Sequence, residues 1–100
     1  MIPSIGRIVH YTLNAHDADS INKRRKDAYI VEMSLGYMAH VGNTVSEGSK
    51  YPMIIVAVWG STENSSVNGQ VFLDGNDTLW VTSRGQGNSI GQWHEPTRVG

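Results

Sequence analysis

The chain has 100 residues and a formal net charge of −1. That length is typical of one domain, and so weak a net charge provides no overall field that would attract nucleic acid. There is no cysteine, which excludes disulfide frameworks, thiolate metal sites and cysteine nucleophiles. The N-terminal residues do not resemble a signal peptide, and the longest apolar run is far too short to span a bilayer. We therefore expect a soluble protein with a single domain over residues 1–100.

The first predicted elements are a strand and a long helix. Residues 7–13 (RIVHYTL) alternate in polarity and are rich in β-branched side chains, which indicates a strand. Residues 19 to about 39 predict a helix, because apolar residues recur there at steps of three and four. Gly36 weakens its last turns, so we expect the helix to end near that residue. The candidate N-caps are Asp17, Asp19 and Ser20. The predicted apolar face comprises Ile21, Ala28, Val31, Leu35 and Met38.

The second half of the chain predicts short strands joined by turns. Residues 53–59 (MIIVAVW) are almost continuously apolar, which indicates a central strand buried on both faces and places Trp59 in the core. The turn composition of residues 74–77 (DGND) predicts a hairpin. The other predicted segments are a loop at 40–50 with an optional short strand at 44–46, strands at 67–73 and 79–83, a glycine-rich loop at 85–91, and a terminal segment at 92–99 with an optional last strand.

This order of elements predicts a mainly β fold. Short strands with one long excursion after the first suit a small SH3-like or OB-like antiparallel barrel with a helical insertion at about residues 17–40. An antiparallel sheet packed on one helix is the alternative. We expect the domain to be undivided, because no boundary or internal repeat is visible.

Sequence motifs for metal binding and catalysis are lacking. The four histidines do not have the spacing of metal ligands, and residues 74–85 do not match a calcium-binding loop. The glycines at 85, 87 and 91 have the wrong spacing for a dinucleotide fingerprint. His94 and Glu95 are adjacent in a predicted strand and would point to opposite faces, so they are poor partners in acid–base chemistry. We expect no enzyme activity, no metal and no cofactor.

The best functional lead is a basic run at residues 23–26 (KRRK) combined with aromatic side chains. A solvated helix face is the simplest interpretation of such a run, whereas arginine forks also suit phosphate. Trp93, which lies beside glycine and near the end of the chain, is predicted to be exposed and could stack on a base. The predicted ligand-binding residues are Arg24, Arg25, Arg84, Trp93, His94 and Tyr11.

Several stretches resemble a group of small phage proteins. Members of that group begin with P-S-x-G-R-I-V-H-Y and end with G-x-W-H-W-P. The matching stretches here are residues 3–11 (PSIGRIVHY), 21–25 (INKRR), 51–56 (YPMIIV), 67–75 (VNGQVFLDG) and 91–96 (GQWHEP). Glu95 departs from the group, which usually has a second tryptophan at that position. The resemblance implies a phage or prophage origin and expression in the bacterial cytoplasm, where small phage accessory proteins often bind and block a host component.

These observations lead to a binding function. The first hypothesis is a non-enzymatic phage protein that sequesters a small anionic ligand, such as a nucleotide signal of bacterial defence. A symmetric homo-oligomer is expected, since a small chain gains pocket depth by assembling. The alternatives are a protein- or nucleic-acid-interaction module and a minor virion protein. Nucleic acid is disfavoured by the net charge of −1, and a small phosphodiesterase is disfavoured because no acid–base set is visible.

Overall fold

The computed structural model describes residues 1–36 and 42–96. The elements in these ranges are β1 (Ile8–Thr12), α1 (Ala15–Ser34), β2 (Lys50–Trp59), β3 (Ser66–Phe72), β4 (Thr78–Arg84) and β5 (Trp93–His94). The strands pair antiparallel in one sheet of order β4-β3-β2-β1-β5. The described part of the chain is therefore mainly β with one helix after the first strand, which confirms the predicted class.

The sheet is open, with β4 and β5 at its two edges. A single isolated parallel bridge joins Gln86 to Trp93 and brings the segment after β4 alongside β5. The order β4-β3-β2-β1-β5 makes β2 to β4 a meander and places β1 between β2 and β5. The described strands do not close into a barrel, so the predicted SH3-like or OB-like barrel is not confirmed.

Helix α1 begins four residues earlier than predicted. Asn14 is the N-cap, and its side chain accepts a hydrogen bond from the Asp17 N–H at 2.8 Å, while the Asn14 N–H donates to the Asp17 carboxylate at 3.2 Å. This reciprocal capping box satisfies two N–H groups that the first turn would otherwise leave unpaired, so Asn14 is preferred over the predicted caps. The helix ends at Ser34, and Gly36 follows with φ of +80°, as expected for a glycine just beyond a helix.

The predicted apolar face of the helix was wrong. Of its members, Ile21 is buried, whereas Val31 and Leu35 are 56% and 66% exposed. The buried positions of α1 lie among its first eleven residues, where the helix meets the rest of the fold, and are Asp17, Ala18, Ile21 and Arg25. Met38 and the predicted final turn lie outside the described residues.

Strand β2 is central, but only one of its faces is buried, which corrects the prediction. Met53 and Ile55 face the core, and a bulge follows at Val56. Because the bulge adds one residue, the alternation shifts by one position. Val58 consequently packs against the core, while Trp59 turns to the opposite face and is 60% exposed.

One hydrophobic core lies on the inner face of the sheet, beneath the first half of α1. At its centre Met53 packs over Gly69, where any Cβ would collide with the methionine side chain. The buried apolar residues are Val9, Tyr11, Leu13, Ala18, Ile21, Val45, Met53, Ile55, Val67, Val71, Leu73, Val81 and Trp93.

The loop at 42–46 is fastened to α1 by a side chain. The Asn22 amide donates to the Val45 carbonyl and accepts from the Val45 N–H, both at 2.9 Å. Asn22 therefore takes the place of a neighbouring strand, and Val45 is buried without belonging to a strand. The optional strand at 44–46 is not formed.

Candidate functional site

Two arginines of the basic run bind one carboxylate on the β3–β4 hairpin. Arg25 donates from Nε and Nη2 to the two oxygens of Asp77, at 3.1 and 2.9 Å, and its side chain is 7% exposed. Arg24 donates to Asp77 Oδ2 at 3.0 Å, with 48% of its side chain exposed. The two guanidinium groups thus share a single carboxylate. The hydrogen bond from Arg25 is the largest influence that lowers the pKa of Asp77; burial opposes it, and Arg24 reinforces it.

Arg25 also joins the helix to two loops. Its guanidinium donates to the backbone carbonyl of Asn43 and lies 3.5 Å from that of Asp74. A Cβ built on Gly75 would be 2.9 Å from Arg25 Nη2, and one on Gly42 would be 2.6 Å from the same atom. A side chain at either position would force Arg25 or the loops to shift, so the two glycines allow the loops to approach the buried arginine closely.

A cleft opens beside this cluster, on the flank of α1. We call it the helix cleft, and its volume is about 250 Å³. It is lined by Asn22, Arg25, Lys26, Tyr29, Gly42 and Thr44. Lys26 is exposed and Tyr29 is 47% exposed. The two lie three positions apart on the helix and so share one face. Within the described residues, Lys26 has no carboxylate partner.

Tyr11 was predicted to stack on a ligand, but it is fully buried. Its hydroxyl donates to Asp17 Oδ2 at 2.6 Å, and Arg84 Nη2 lies 3.7 Å from Asp17 Oδ1. Burial, followed by the bond to Asp17, raises the pKa of Tyr11 well above its usual range. The Tyr11 ring and the Asp17 carboxylate both belong to the packing between β1 and α1. The Arg84 guanidinium lies beside this carboxylate and 6.0 Å from the centre of the Tyr11 ring.

Trp93 is also fully buried, contrary to the predicted exposure. Strand β5 pairs Trp93 with Tyr11 of β1, and both side chains enter the core. The indole Nε1 donates to the Arg84 carbonyl at 3.1 Å. With its polar atom satisfied and its ring enclosed, Trp93 is a structural residue.

His94 lies away from the arginine cluster and faces another histidine. The rings of His10 and His94 meet edge to face with centroids 5.6 Å apart. His94 Nδ1 is buried, with no hydrogen-bond partner in the described residues. Burial is the main influence that lowers the pKa of His94, and the positive charges of Lys50 and His10 lower it further.

The predicted site is therefore divided. Asp77, which holds Arg24 and Arg25, immediately precedes β4, whereas Arg84 is the last residue of that strand. Along the extended strand the Cα atoms of Asp77 and Arg84 are roughly 20 Å apart. Of the predicted set, only Arg25 lines the helix cleft, and Arg24 is bound to the same carboxylate beside it.

Sequence reasoning missed the carboxylate that organises the cluster and the aromatic residue next to it. Asp77 is 52 residues from Arg25 and was read only as part of a turn. Tyr29 follows Lys26 by three residues, and that spacing alone could have indicated a shared helix face.

The outer face of the sheet, opposite the core, exposes large apolar side chains. Trp59 and Trp80 are each 60% exposed, and Trp59 Nε1 donates to Asn68 Oδ1 at 3.3 Å. The prediction that Trp59 is a core residue was thus wrong. The members of this outer face are Ile8, Val56, Trp59, Phe72 and Trp80.

The comparisons with known proteins do not indicate a function, so the function is inferred from the geometry of the site. Neither a protein-family model, nor a curated protein, nor a solved structure matches the chain. Within residues 1–36 and 42–96, His, Asp and Glu do not gather in groups of three or more that could hold a metal ion. The one described helix is not long and apolar enough to cross a membrane.

Proposed function

We propose that the chain is a non-catalytic binding protein that captures a small anionic, nucleotide-like ligand in the helix cleft. The observation that carries this proposal is the pairing of an exposed lysine and an exposed tyrosine one turn apart, beside two arginines that share a single carboxylate. Lys26 supplies a charge for phosphate, and Tyr29 supplies a flat ring for a base. Arg25 is occupied by Asp77 and shapes the wall of the cleft.

The resemblance to small phage proteins supports a biological role for such capture. A phage accessory protein that removes a nucleotide immune signal from the bacterial cytoplasm would need binding without turnover. Such a sponge would act in stoichiometric amounts, and we propose that it does so as a homo-oligomer.

The test is calorimetric titration with AMP, ADP and inorganic phosphate, comparing two lysine variants. Lys26→Gln removes the cation of the cleft, whereas Lys23→Gln removes one from the same helix, outside the cleft. A lost charge-assisted hydrogen bond is worth about 1.5–3 kcal/mol, so we expect Lys26→Gln to weaken binding by about tenfold or more. Lys23→Gln should leave the affinity close to that of the wild type. Absence of nucleotide binding, or equal losses in the two variants, would refute the proposal.

The outer face of the sheet favours a second candidate function, a protein-interaction module. Tryptophan is enriched among the residues that dominate binding energy in protein interfaces, and Trp59 and Trp80 are both exposed on one face. If this is the function, Trp80→Ala should abolish binding of a host protein while Lys26→Gln does not.

A further inference from the structure

The C-terminal end of helix α1, from Ala28 onward, is apolar and exposed. We call residues 28–35 (AYIVEMSL) the distal segment; it carries one formal charge in eight residues. Its large apolar side chains are between 47% and 66% exposed, and they are Tyr29, Ile30, Val31, Met33 and Leu35. The first half of the same helix, by contrast, buries Ala18 and Ile21 in the core.

These side chains do not form a single stripe. Successive residues of a helix are rotated by about 100°, so Tyr29, Ile30 and Val31 point in three different directions. A helix that is apolar all round is stable in water only when other protein surrounds it. The distal segment therefore requires cover that one copy of the described chain does not provide.

The whole chain exposes more surface than its mass predicts. A compact protein of 11.0 kDa exposes about 5,600 Å², whereas this chain exposes 6321 Å². The surplus is of the same order as the roughly 800 Å² that each partner buries in a standard protein interface, so the chain has enough surface to form one. The radius of gyration is 15.1 Å, against about 13 Å for a compact chain of this length. The excess area and the extended shape agree with a helix that leaves the body of the molecule.

We propose that the distal segment is a self-association surface, covered by the distal segment of a second copy of this chain. Every copy carries the segment, and it is exposed in the single chain. A surface with so little charge also creates little repulsion between identical copies. Two-fold pairing, in which a patch covers itself, is the commonest way in which such a surface is buried.

The same pairing would complete the helix cleft, and this part of the inference rests on the proposed function. Tyr29 belongs both to the cleft and to the distal segment. The cleft of about 250 Å³ is smaller than the ~300 Å³ at which ligand pockets begin. A second helix packed beside Tyr29 would add a wall and deepen the cleft, so that a bound ligand would be enclosed between two copies.

Sedimentation velocity of the ligand-free protein tests the surface independently of any ligand. The test variant combines Ile30→Lys with Leu35→Lys, and the control combines Ile5→Lys with Ile90→Lys. All four residues are at least 50% exposed, and each variant adds two positive charges. Lysine is a good helix former, so the helix should persist, which circular dichroism verifies.

We expect the measured molecular mass of the wild type and of the control to be at least twice that of one chain. For the helix variant we expect the mass of one chain. A monomeric wild type at 100 μM would overturn the proposal. Persistence of the assembly in the helix variant would also overturn it and would place the interface on another surface of the chain. An assembly that binds no nucleotide would refute the proposed function alone, whereas a monomer that binds nucleotide would refute this inference alone.

Discussion

Arg25 illustrates how one residue can have a structural role that its sequence context does not reveal. In the basic run it is indistinguishable from Arg24, yet its side chain is 7% exposed against 48% for Arg24. Removing one partner of a buried ion pair costs about 3–5 kcal/mol, whereas an exposed pair contributes about 1 kcal/mol or less. We therefore expect Arg25→Ala to lower the free energy of unfolding by about 3 kcal/mol, and Arg24→Ala by no more than about 1 kcal/mol. Urea denaturation measures both values, and equal losses would contradict the assignment.

His94 gives the protein a pH-dependent stability. Its pKa is lowered in the folded state, so the unfolded chain binds more protons once the pH falls below the usual histidine value of 6.5. Its contribution is thus complete above that pH and is lost as the pH falls through the lowered pKa. We expect the free energy of unfolding to decrease between pH 7.5 and pH 5.5, and this decrease to be smaller in His94→Gln. His16→Gln, a change at an exposed helix position, serves as the control; an unchanged slope in His94→Gln would contradict the prediction.

At the scale of single elements, the start of α1 is determined by Asn14. An N-cap replaced by alanine typically costs about 1 kcal/mol, so we expect Asn14→Ala to lower stability by that amount. Asp19 was a candidate cap from the sequence but lies exposed inside the helix, and Asp19→Ala should change stability by less than about 0.5 kcal/mol. Thermal unfolding compares the two variants. A larger effect at Asp19 would mean that the helix begins where the sequence suggested.

The strands could be predicted because their signals are local. Turn residues bound β3 and β4, and both strands lie within one residue of their predicted limits. The side of the sheet on which each side chain lies was harder to predict, because it depends on the pairing register of the strands. The bulge at Val56 reverses the orientation of Trp59, and pairing with Tyr11 draws Trp93 into the core. The apolar neighbours of Trp59 therefore wrongly suggested that it is buried, and the glycine near Trp93 wrongly suggested that it is exposed.

At the scale of the whole molecule, the candidate site depends on contacts that are distant in the sequence. The basic run was recognisable, but Asp77, Gly42 and Gly75 reach it only because the sheet and the loops bring them there. Arg84, Tyr11 and His94 looked equally suitable for a ligand and were placed elsewhere by the same topology. Composition and spacing can thus suggest the chemistry of a site, while long-range packing decides which residues share it.

Native mass spectrometry of the protein purified from bacterial cells, with identification of whatever it releases on denaturation, tests the central claim most directly. Where the purified protein carries nothing, AMP and ADP are added before the measurement. We expect the wild type and Lys23→Gln to retain a molecule of nucleotide mass, and Lys26→Gln to lose it. A wild-type protein that carries no nucleotide and takes up neither AMP nor ADP would contradict the claim that the helix cleft is a nucleotide-binding site.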